Sequence, residues 1–455
     1  MTSIVSLRNW PEQSAVDMAS PAHAPWPRLL VAELTTLCNQ RCPMCVKQSP
    51  GCGIAEGHMA WTVFERLAPA FPHLDSLILS GIGEPMLYPH LVEAVALARS
   101  TMPSGARIAF QSNGVVLGSP TGTDKAAALM EAGLDSICLS VDSADPDEYR
   151  RLRPGGETSL LEQAFATLRN AREQTGTRFA IGVETVLLRD TLDKLPTVLR
   201  WTAERGADYA LISHMLPYHP AMESQAAWEW HTDEAIALFR EYETRAHREG
   251  LDISIYPKIV WKYSKNEEEK RLCALVAAMQ READSRGLTL HPERLISAAD
   301  ALEDTARRIA QAMADARETA DACGIELRLP EAAPLQDRRC EFVESGSVFV
   351  AMDGGVHPCH FLWHNAAIHR HGLQRILPAQ RFGSLKESDL VAVWNDPSYV
   401  AFREAALRYD YPFCGSCRLG PCNLVEDATF EADCIGIEVP CGECPWALGL
   451  LQCLS

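Results

Sequence analysis

Three cysteines lie within eight residues in Cys38-Asn-Gln-Arg-Cys42-Pro-Met-Cys45. Thiolates are the ligands of zinc and of iron–sulfur clusters. A cubane 4Fe–4S cluster takes four thiolates, one on each iron. A loop that supplies three of them leaves the fourth iron open to a small molecule. Zinc normally asks for a fourth protein ligand, and the nearest further thiol is Cys52. The spacing CxxxCxxC therefore points to a cluster with one open corner.

A second group fills the last quarter of the chain: Cys340, Cys359, Cys414, Cys417, Cys422, Cys434, Cys441, Cys444 and Cys453. Two of its pairs, Cys414/Cys417 and Cys441/Cys444, have the CxxC spacing used by zinc ribbons and by fully ligated iron–sulfur clusters. Cys52, Cys138, Cys273 and Cys323 stand apart and read as ordinary buried thiols. The first 26 residues have no basic segment followed by an apolar one, so they do not read as a secretory signal. No apolar run reaches the roughly 18 residues of a membrane span. The expected compartment is the reducing cytoplasm, where clustered cysteines bind metal or do redox chemistry and seldom form disulfides. Acidic residues outnumber basic ones 60 to 42, a formal charge of −18 that repels phosphate backbones and anionic lipid. Neither nucleic acid nor a membrane is an expected partner.

The elements that must position these thiols follow from periodicity. With 47% hydrophobic and 22% charged residues the chain is globular, and 455 residues make two or three domains. Residues 1–26 read as a flexible tail. Apolar strands are expected at 29–36, 76–85, 107–113, 136–143, 179–188 and 208–216. Helices are expected between them, at 60–70, 90–100, 124–132, 159–175 and 193–205. This alternation predicts a parallel βα sheet covered on both faces, a full or partial barrel. In such folds the chemistry sits on loops at the C-terminal ends of the strands, where Cys38, Cys42 and Cys45 fall. Residues 221–337 read as a helical insertion, with short strands expected at 251–257 and 325–330.

On the cysteine spacing after the first strand, the chain is identified as a member of the radical S-adenosylmethionine (SAM) superfamily. That resemblance implies an α/β fold, a partial (β/α)6 TIM-like barrel over 27–220, with Cys38, Cys42 and Cys45 holding the SAM-binding 4Fe–4S cluster. Gly81-Ile82-Gly83-Glu84-Pro85 resembles the family's GGEP element, which faces the SAM amino group, so Glu84 is expected beside an ammonium. Gln111-Ser112-Asn113-Gly114 resembles the turn ending strand three. Ser140-Val141-Asp142 resembles the strand-four end near the SAM carboxylate or ribose, and Arg153 the arginine that pairs with that carboxylate. Glu184 sits where strand five contacts ribose and adenine.

The C-terminal cysteines resemble the SPASM extension of the same superfamily, expected over 338–455, which holds two auxiliary 4Fe–4S clusters. Its pattern is Cys, Gly-x4-Cys, CxxCx5Cx3C and a last Cys. Here Gly354 precedes Cys359 at the right distance. Four residues rather than five precede Cys422, and the next cysteine is Cys434. Three ligands for one cluster and four for each of two more ask for eleven thiolates, and the two regions hold twelve. By resemblance Cys340 and Cys359 belong to the barrel-proximal cluster and Cys414, Cys417 and Cys422 to the distal one. The later four cysteines complete both sets in an order the spacing leaves open. Stretches such as LTTLCNQRCPMC, SGIGEPMLYPHL and CGECPWALGLLQC resemble the tungsten-cofactor oxidoreductase maturase branch.

The resemblance implies an enzyme that reductively cleaves SAM to a 5′-deoxyadenosyl radical, which takes hydrogen from a substrate. That substrate is a small molecule, a peptide, a protein or a cofactor precursor, and a flavodoxin- or ferredoxin-type protein supplies the electron. His214 and Tyr218, after strand six, are the candidate substrate contacts. His357, His360 and His364 flank Cys359 as candidate proton donors or ligands. A non-catalytic iron–sulfur or zinc scaffold that keeps the fold is the alternative.

Overall fold

The computed structural model describes residues 20–454 apart from 229–230, 289, 336, 371–372, 413–429, 443 and 453. Six parallel strands form its centre: β1 (Leu29–Ala32), β2 (Ser76–Ile78), β3 (Arg107–Ser112), β4 (Ser136–Ser140), β5 (Ala180–Leu187) and β6 (Tyr209–His214). They are hydrogen-bonded in sequence order. All four residues of β1 are buried, as expected of a strand covered on both faces. The covering helices carry apolar residues at helical spacing. Thr158–Thr175 buries Leu161, Ala164, Phe165, Leu168 and Ala171, one stripe that faces the sheet. It stops at Gly176, whose φ of +63° suits a residue without Cβ.

The sheet does not close. On one side β7 (Glu326–Arg328) adds to β6 in parallel. On the other, β8 (Ser347–Val350) adds to β1 in parallel, followed by antiparallel β9 (Gly355–His357) and β12 (Gly383–Ser384). The result is one open sheet of ten strands whose β8 edge comes from the cysteine-rich C-terminal region. A separate hairpin, β10 (Ala366–Arg370) and β11 (Leu373–Leu377), stands beside it.

Several expectations change. The strand expected over 76–85 ends at Ile78, because Gly81 and Gly83 turn the chain across the strand ends. Residues 251–257, expected as a strand, form the helical turns Ile253–Ile255 and Tyr256–Ile259. Residues 20–26 are not loose. Ala22 is buried and its carbonyl accepts from Arg403 at 2.9 Å, while Trp394 donates to the Ala24 carbonyl at 2.7 Å. Of the four isolated cysteines only Cys138 is buried, and Cys323 is exposed.

The helical segment has a core of its own, with Leu272, Val276, Met279 and Leu295 at its centre. Its longest helix, Pro292–Cys323, departs from helical geometry at Ala298. Beyond that point Ile309, Ala312, Met313 and Ala316 pack into the barrel core. The segment is thus anchored to the barrel.

Candidate active site

The loop that follows β1 winds through three short turns. Cys45 N donates to the Cys42 carbonyl at 3.0 Å and Gln48 N to the Cys45 carbonyl at 2.9 Å. Lys47 pins it with bonds to the Thr36 carbonyl at 2.9 Å and Glu56 at 2.6 Å. The Ser49 hydroxyl ties its far end to the backbone of Ala367 on β10. Cys38, Cys42 and Cys45 line one cavity of about 600 Å³, within the range of small-ligand sites. Burial pushes all three thiols up, Cys45 to about 11. A metal that binds them as thiolates therefore displaces protons.

The other wall of that cavity gathers most of the residues singled out in the sequence: Gly81, Gly83, Glu84, Asn113, Ser140, Arg153, Glu184 and Tyr218. Both glycines are required sterically. A Cβ at Gly81 falls 2.3 Å from Cγ of Glu33, and one at Gly83 falls 2.3 Å from the Thr35 carbonyl oxygen. The GIGEP turn therefore lies directly on the end of β1, and Glu84 N donates to the Leu37 carbonyl at 2.8 Å. Pro85 is buried at the start of the turn Pro85–Leu87 and does not line the cavity.

Two of the expected roles look different in the structure. Glu84 is 2% exposed, and its carboxylate accepts from Met86 N at 3.1 Å, Ser112 Oγ at 2.8 Å and Asn113 N at 2.7 Å. Its charge is engaged in joining the GIGEP turn to the end of β3, although burial still pushes the carboxyl upward. Asp142 lies behind the wall, bonded to Arg153 at 2.6 Å and to Val186 N at 2.9 Å. Arg153 lines the cavity with Asp142 holding it from behind. Asn113 Nδ2 donates to Asn39 at 2.6 Å and lies 3.8 Å from the Cys38 sulfur.

A second cavity of about 230 Å³ shares Met44, Gln111, Glu184, Val186, Tyr218 and Trp363 with the first. Its far wall is His214, His360 and the C-terminal Trp446, Leu451, Gln452 and Leu454. Gln452 fixes that segment against the barrel through Ser213 Oγ at 3.3 Å and the Leu329 carbonyl at 2.5 Å. Glu184 accepts from Gln111, and burial raises its carboxyl to about 7. Tyr218 borders both cavities, whereas His214 borders the inner one alone.

Glu33, Trp363, Trp446 and Gln452 were not singled out by the sequence. The signal for Glu33 was available, since it is the one acidic residue in the apolar run LLVAELTT. It is fully buried, and its carboxylate accepts from Ile82 N at 2.9 Å and Met352 N at 3.1 Å and pairs with His364 at 3.1 Å. The GIGEP turn and the C-terminal region thus meet on one side chain. His364 is therefore engaged, and His357 is bonded to the Gln380 carbonyl at 2.8 Å. Of the three, His360 borders the inner cavity, packed edge-on to Phe342, Phe349 and Trp363.

In the C-terminal region Cys340, Cys359, Cys441 and Cys444 come together. Burial pushes each thiol up, Cys340 to about 12, and neighbouring members of the set push Cys340, Cys359 and Cys441 further. Two buried cations attend them. Arg375 opposes the charge of Cys441 and Cys444, and Arg338, stacked 4.4 Å over Tyr411, opposes that of Cys444. Cys340 N donates to the Tyr409 hydroxyl at 2.8 Å. A lone tetrahedral ion draws thiolates to about 2.3 Å from one point; among the described residues no three Cys, His, Asp or Glu side chains are so gathered. Cys434 is exposed. Cys414, Cys417, Cys422 and Cys453 lie outside the described residues.

Family models match both cysteine-bearing regions. The model of the radical SAM superfamily matches residues 32–202, and that of the SPASM iron–sulfur cluster-binding domain matches 340–418. The chain is 23% identical over 432 residues to a tungsten-containing aldehyde ferredoxin oxidoreductase cofactor-modifying protein of Pyrococcus furiosus, covering 94% of this chain and 97% of that one. A GTP 3′,8-cyclase of Alkaliphilus oremlandii is 32% identical over 134 residues, 28% of this chain and 39% of the cyclase. Among solved structures, anSMEcpe with bound AdoMet matches at 15% identity and a TM-score of 0.48, covering 93% of each chain. Streptococcus suis SuiB bound to precursor peptide SuiA matches at 11% identity and a TM-score of 0.47, covering 85% of this chain and 68% of that one. SAM and iron–sulfur clusters are the cofactors of these domains. The chain belongs to the radical SAM superfamily and is an enzyme of its SPASM group.

Proposed function

We propose that the chain cleaves SAM on a cluster held by Cys38, Cys42 and Cys45 and modifies a small molecule or cofactor precursor seated in the inner cavity. The observation that carries this reading is the continuity of the two cavities. The three thiols and the inner chamber share one wall, at Met44, Gln111, Glu184 and Trp363. The relative of Pyrococcus furiosus, similar over nearly its whole length, is named for modifying a cofactor, which supports the same substrate class.

When bound, the cluster and SAM supply an electron and a 5′-deoxyadenosyl radical, the hard chemistry that belongs to cofactors. The protein's own part is positional. Arg153, braced by Asp142, presents a cation to a carboxylate. Glu84 and Glu33 hold the GIGEP turn and the end of β3 in register with the thiol loop. The C-terminal segment forms the far wall of the chamber. Cys340, Cys359, Cys441 and Cys444 would hold an auxiliary cluster, which with four protein thiolates would serve electron transfer or support of the fold. A flavodoxin- or ferredoxin-type protein in the cytoplasm is the expected electron source.

The test is anaerobic. The reconstituted chain is assayed for iron and sulfide and then given dithionite and SAM. Formation of 5′-deoxyadenosine is expected. Its absence from a protein whose N-terminal cluster is intact would leave the non-catalytic scaffold as the reading.

A further inference from the structure

The four thiols of the C-terminal set come together in the protein core, and two guanidinium groups are buried with them. Arg375, on β11, is 6% exposed, and Arg338, two residues before Cys340, is 7% exposed. The guanidinium carbon of Arg375 lies 5.8 Å from the ring centre of Phe361, two residues past Cys359. That ring in turn lies 5.9 Å from Trp446, two residues past Cys444. Arg338 sits 4.4 Å over the ring of Tyr411 and donates to the carbonyls of Tyr411 and Pro412. Burial pushes the Cys441 and Cys444 thiols up; Arg375 acts against that shift at both, and Arg338 at Cys444. One carboxylate has the opposite sense. Glu344 adds to the upward push that burial exerts on Cys340. It accepts from the Tyr409 hydroxyl at 2.7 Å, the same hydroxyl that accepts from Cys340 N.

A cluster on four thiolates carries negative charge, and reduction adds one more; the net charge around the cluster and its exposure set its potential. Burial penalises the more highly charged, reduced form, and a nearby cation favours it. We propose that Arg375 and Arg338 set the reduction potential of the cluster held by Cys340, Cys359, Cys441 and Cys444, raising it so that the buried cluster can take up an electron. Glu344 works against them from the Cys340 side. Of the two roles open to this set, electron transfer and support of the fold, the charges select the first, because a cross-link alone gains nothing from cations that favour its reduced state. His360, next to Cys359, and Trp446 border the inner cavity, so a reducible cluster would stand behind the chamber wall. The inference rests on the proposed function only in placing a cluster on these four thiols.

The test is an anaerobic redox titration of the reconstituted full chain, followed by electron paramagnetic resonance. A Cys38→Ala/Cys42→Ala/Cys45→Ala background removes the SAM-binding cluster and leaves the auxiliary signals. Arg375→Met, which keeps an apolar stem without the charge, is expected to lower one auxiliary midpoint by about 59 mV or more, a tenfold change in a one-electron equilibrium. Arg338→Met is expected to lower the same midpoint by less. Arg375→Lys keeps a cation and is expected to recover more than half of the shift, and Glu344→Gln to move that midpoint upward. A midpoint unmoved by Arg375→Met in a chain with its full iron overturns the proposal, as does an Arg375→Lys shift as large as that of Arg375→Met. If Arg375→Met does not hold its iron, Glu344→Gln decides: an upward shift supports the proposal, and no shift or a downward one overturns it. Cys441→Ala reports on the premise. A chain that keeps all its iron after that substitution carries no cluster on these thiols, and the ligand set of the proposed function falls together with the inference; a loaded chain whose midpoint ignores these charges overturns the inference alone.

Discussion

Cys38, Cys42 and Cys45 leave a single loop and border a cavity of about 600 Å³. Cys340, Cys359, Cys441 and Cys444 come from three separate segments of the C-terminal region and border one another within the core. On the proposed function the first set would hold a cluster open on one side, completed when a small molecule takes the remaining position. The second is closed, supplies four thiols and has two arginines against it. Openness belongs to chemistry, and closure to electron storage or cross-linking, because a fully ligated cluster has no free iron. Both sets are held in one sheet: β8 pairs with β1, so the scaffold of the closed site is hydrogen-bonded to the strand that launches the open one.

The sharpest way to break this contrast is to remove one thiol from each set. Cys45→Ala is expected to lower 5′-deoxyadenosine formation by about a thousandfold or more, since it takes a ligand from the reacting centre. Cys441→Ala is expected to lower it far less and to cost more stability. A cross-link that closes a loop of about 100 residues contributes roughly 5 kcal/mol, against roughly 2.5 kcal/mol for one of about eight. Anaerobic urea unfolding of the two variants, with iron counted on each, checks both halves. Equal losses of stability would show that the closed set is not a cross-link.

How far the two sets were legible in the sequence follows the same division. The open set is local: three thiols in eight residues, after a strand whose neighbours alternate with helices at regular spacing, so backbone periodicity alone places it. The GIGEP turn was found by its resemblance to the GGEP element, while periodicity carried the strand through it to residue 85 and the structure ends it at Ile78. The closed set is non-local. Cys441 and Cys444 join Cys340 and Cys359 from about 100 residues further along the chain, and no spacing rule carries that distance. Glu84 shows a subtler limit. Its position was readable, but its carboxylate turned out to serve Ser112 and Asn113, an engagement set by the approach of β3. Glu33, Trp363 and the C-terminal wall of the inner cavity depend on packing between regions more than 100 residues apart, as the pairing of Glu33 with His364 and the bonds of Gln452 illustrate.

The open site also differs from the closed one in carrying a group that titrates near neutrality. Glu184 is surrounded by protein, with part of its surface on the cavity, and burial raises its carboxyl to about 7 from the usual 4.5. An acid raised on folding binds its proton more tightly in the native state, so the native chain holds more protons than the unfolded one between those two values. Stability therefore falls as pH rises from about 4.5 to about 7, and the loss is complete above that window. The full shift would amount to about 3 kcal/mol; water in the cavity screens it to about 1–2 kcal/mol. Glu184→Gln removes this component, so the wild-type and variant urea midpoints are expected to converge at pH 5 and to separate at pH 8, with the variant higher. Parallel curves across that range would show that Glu184 titrates as an ordinary carboxylate.

The most local expected effect tests whether the two regions are mechanically joined. Ser49, at the end of the thiol loop, is buried, and its hydroxyl donates to the Ala367 carbonyl at 2.9 Å and accepts from Ala367 N at 2.6 Å. One side chain thus satisfies both backbone groups of a residue on β10, in the hairpin that carries Arg375 toward Cys441 and Cys444. Ser49→Ala leaves that donor and that acceptor buried without a partner, at a cost of about 1–3 kcal/mol. Ser49→Thr keeps the hydroxyl and is expected to recover most of it. If the bond joins the regions, hydrogen exchange in Ser49→Ala will quicken at the amides of both the thiol loop and the 366–377 hairpin, with the iron content unchanged. Faster exchange confined to the loop would mean that the open site moves independently of the closed one.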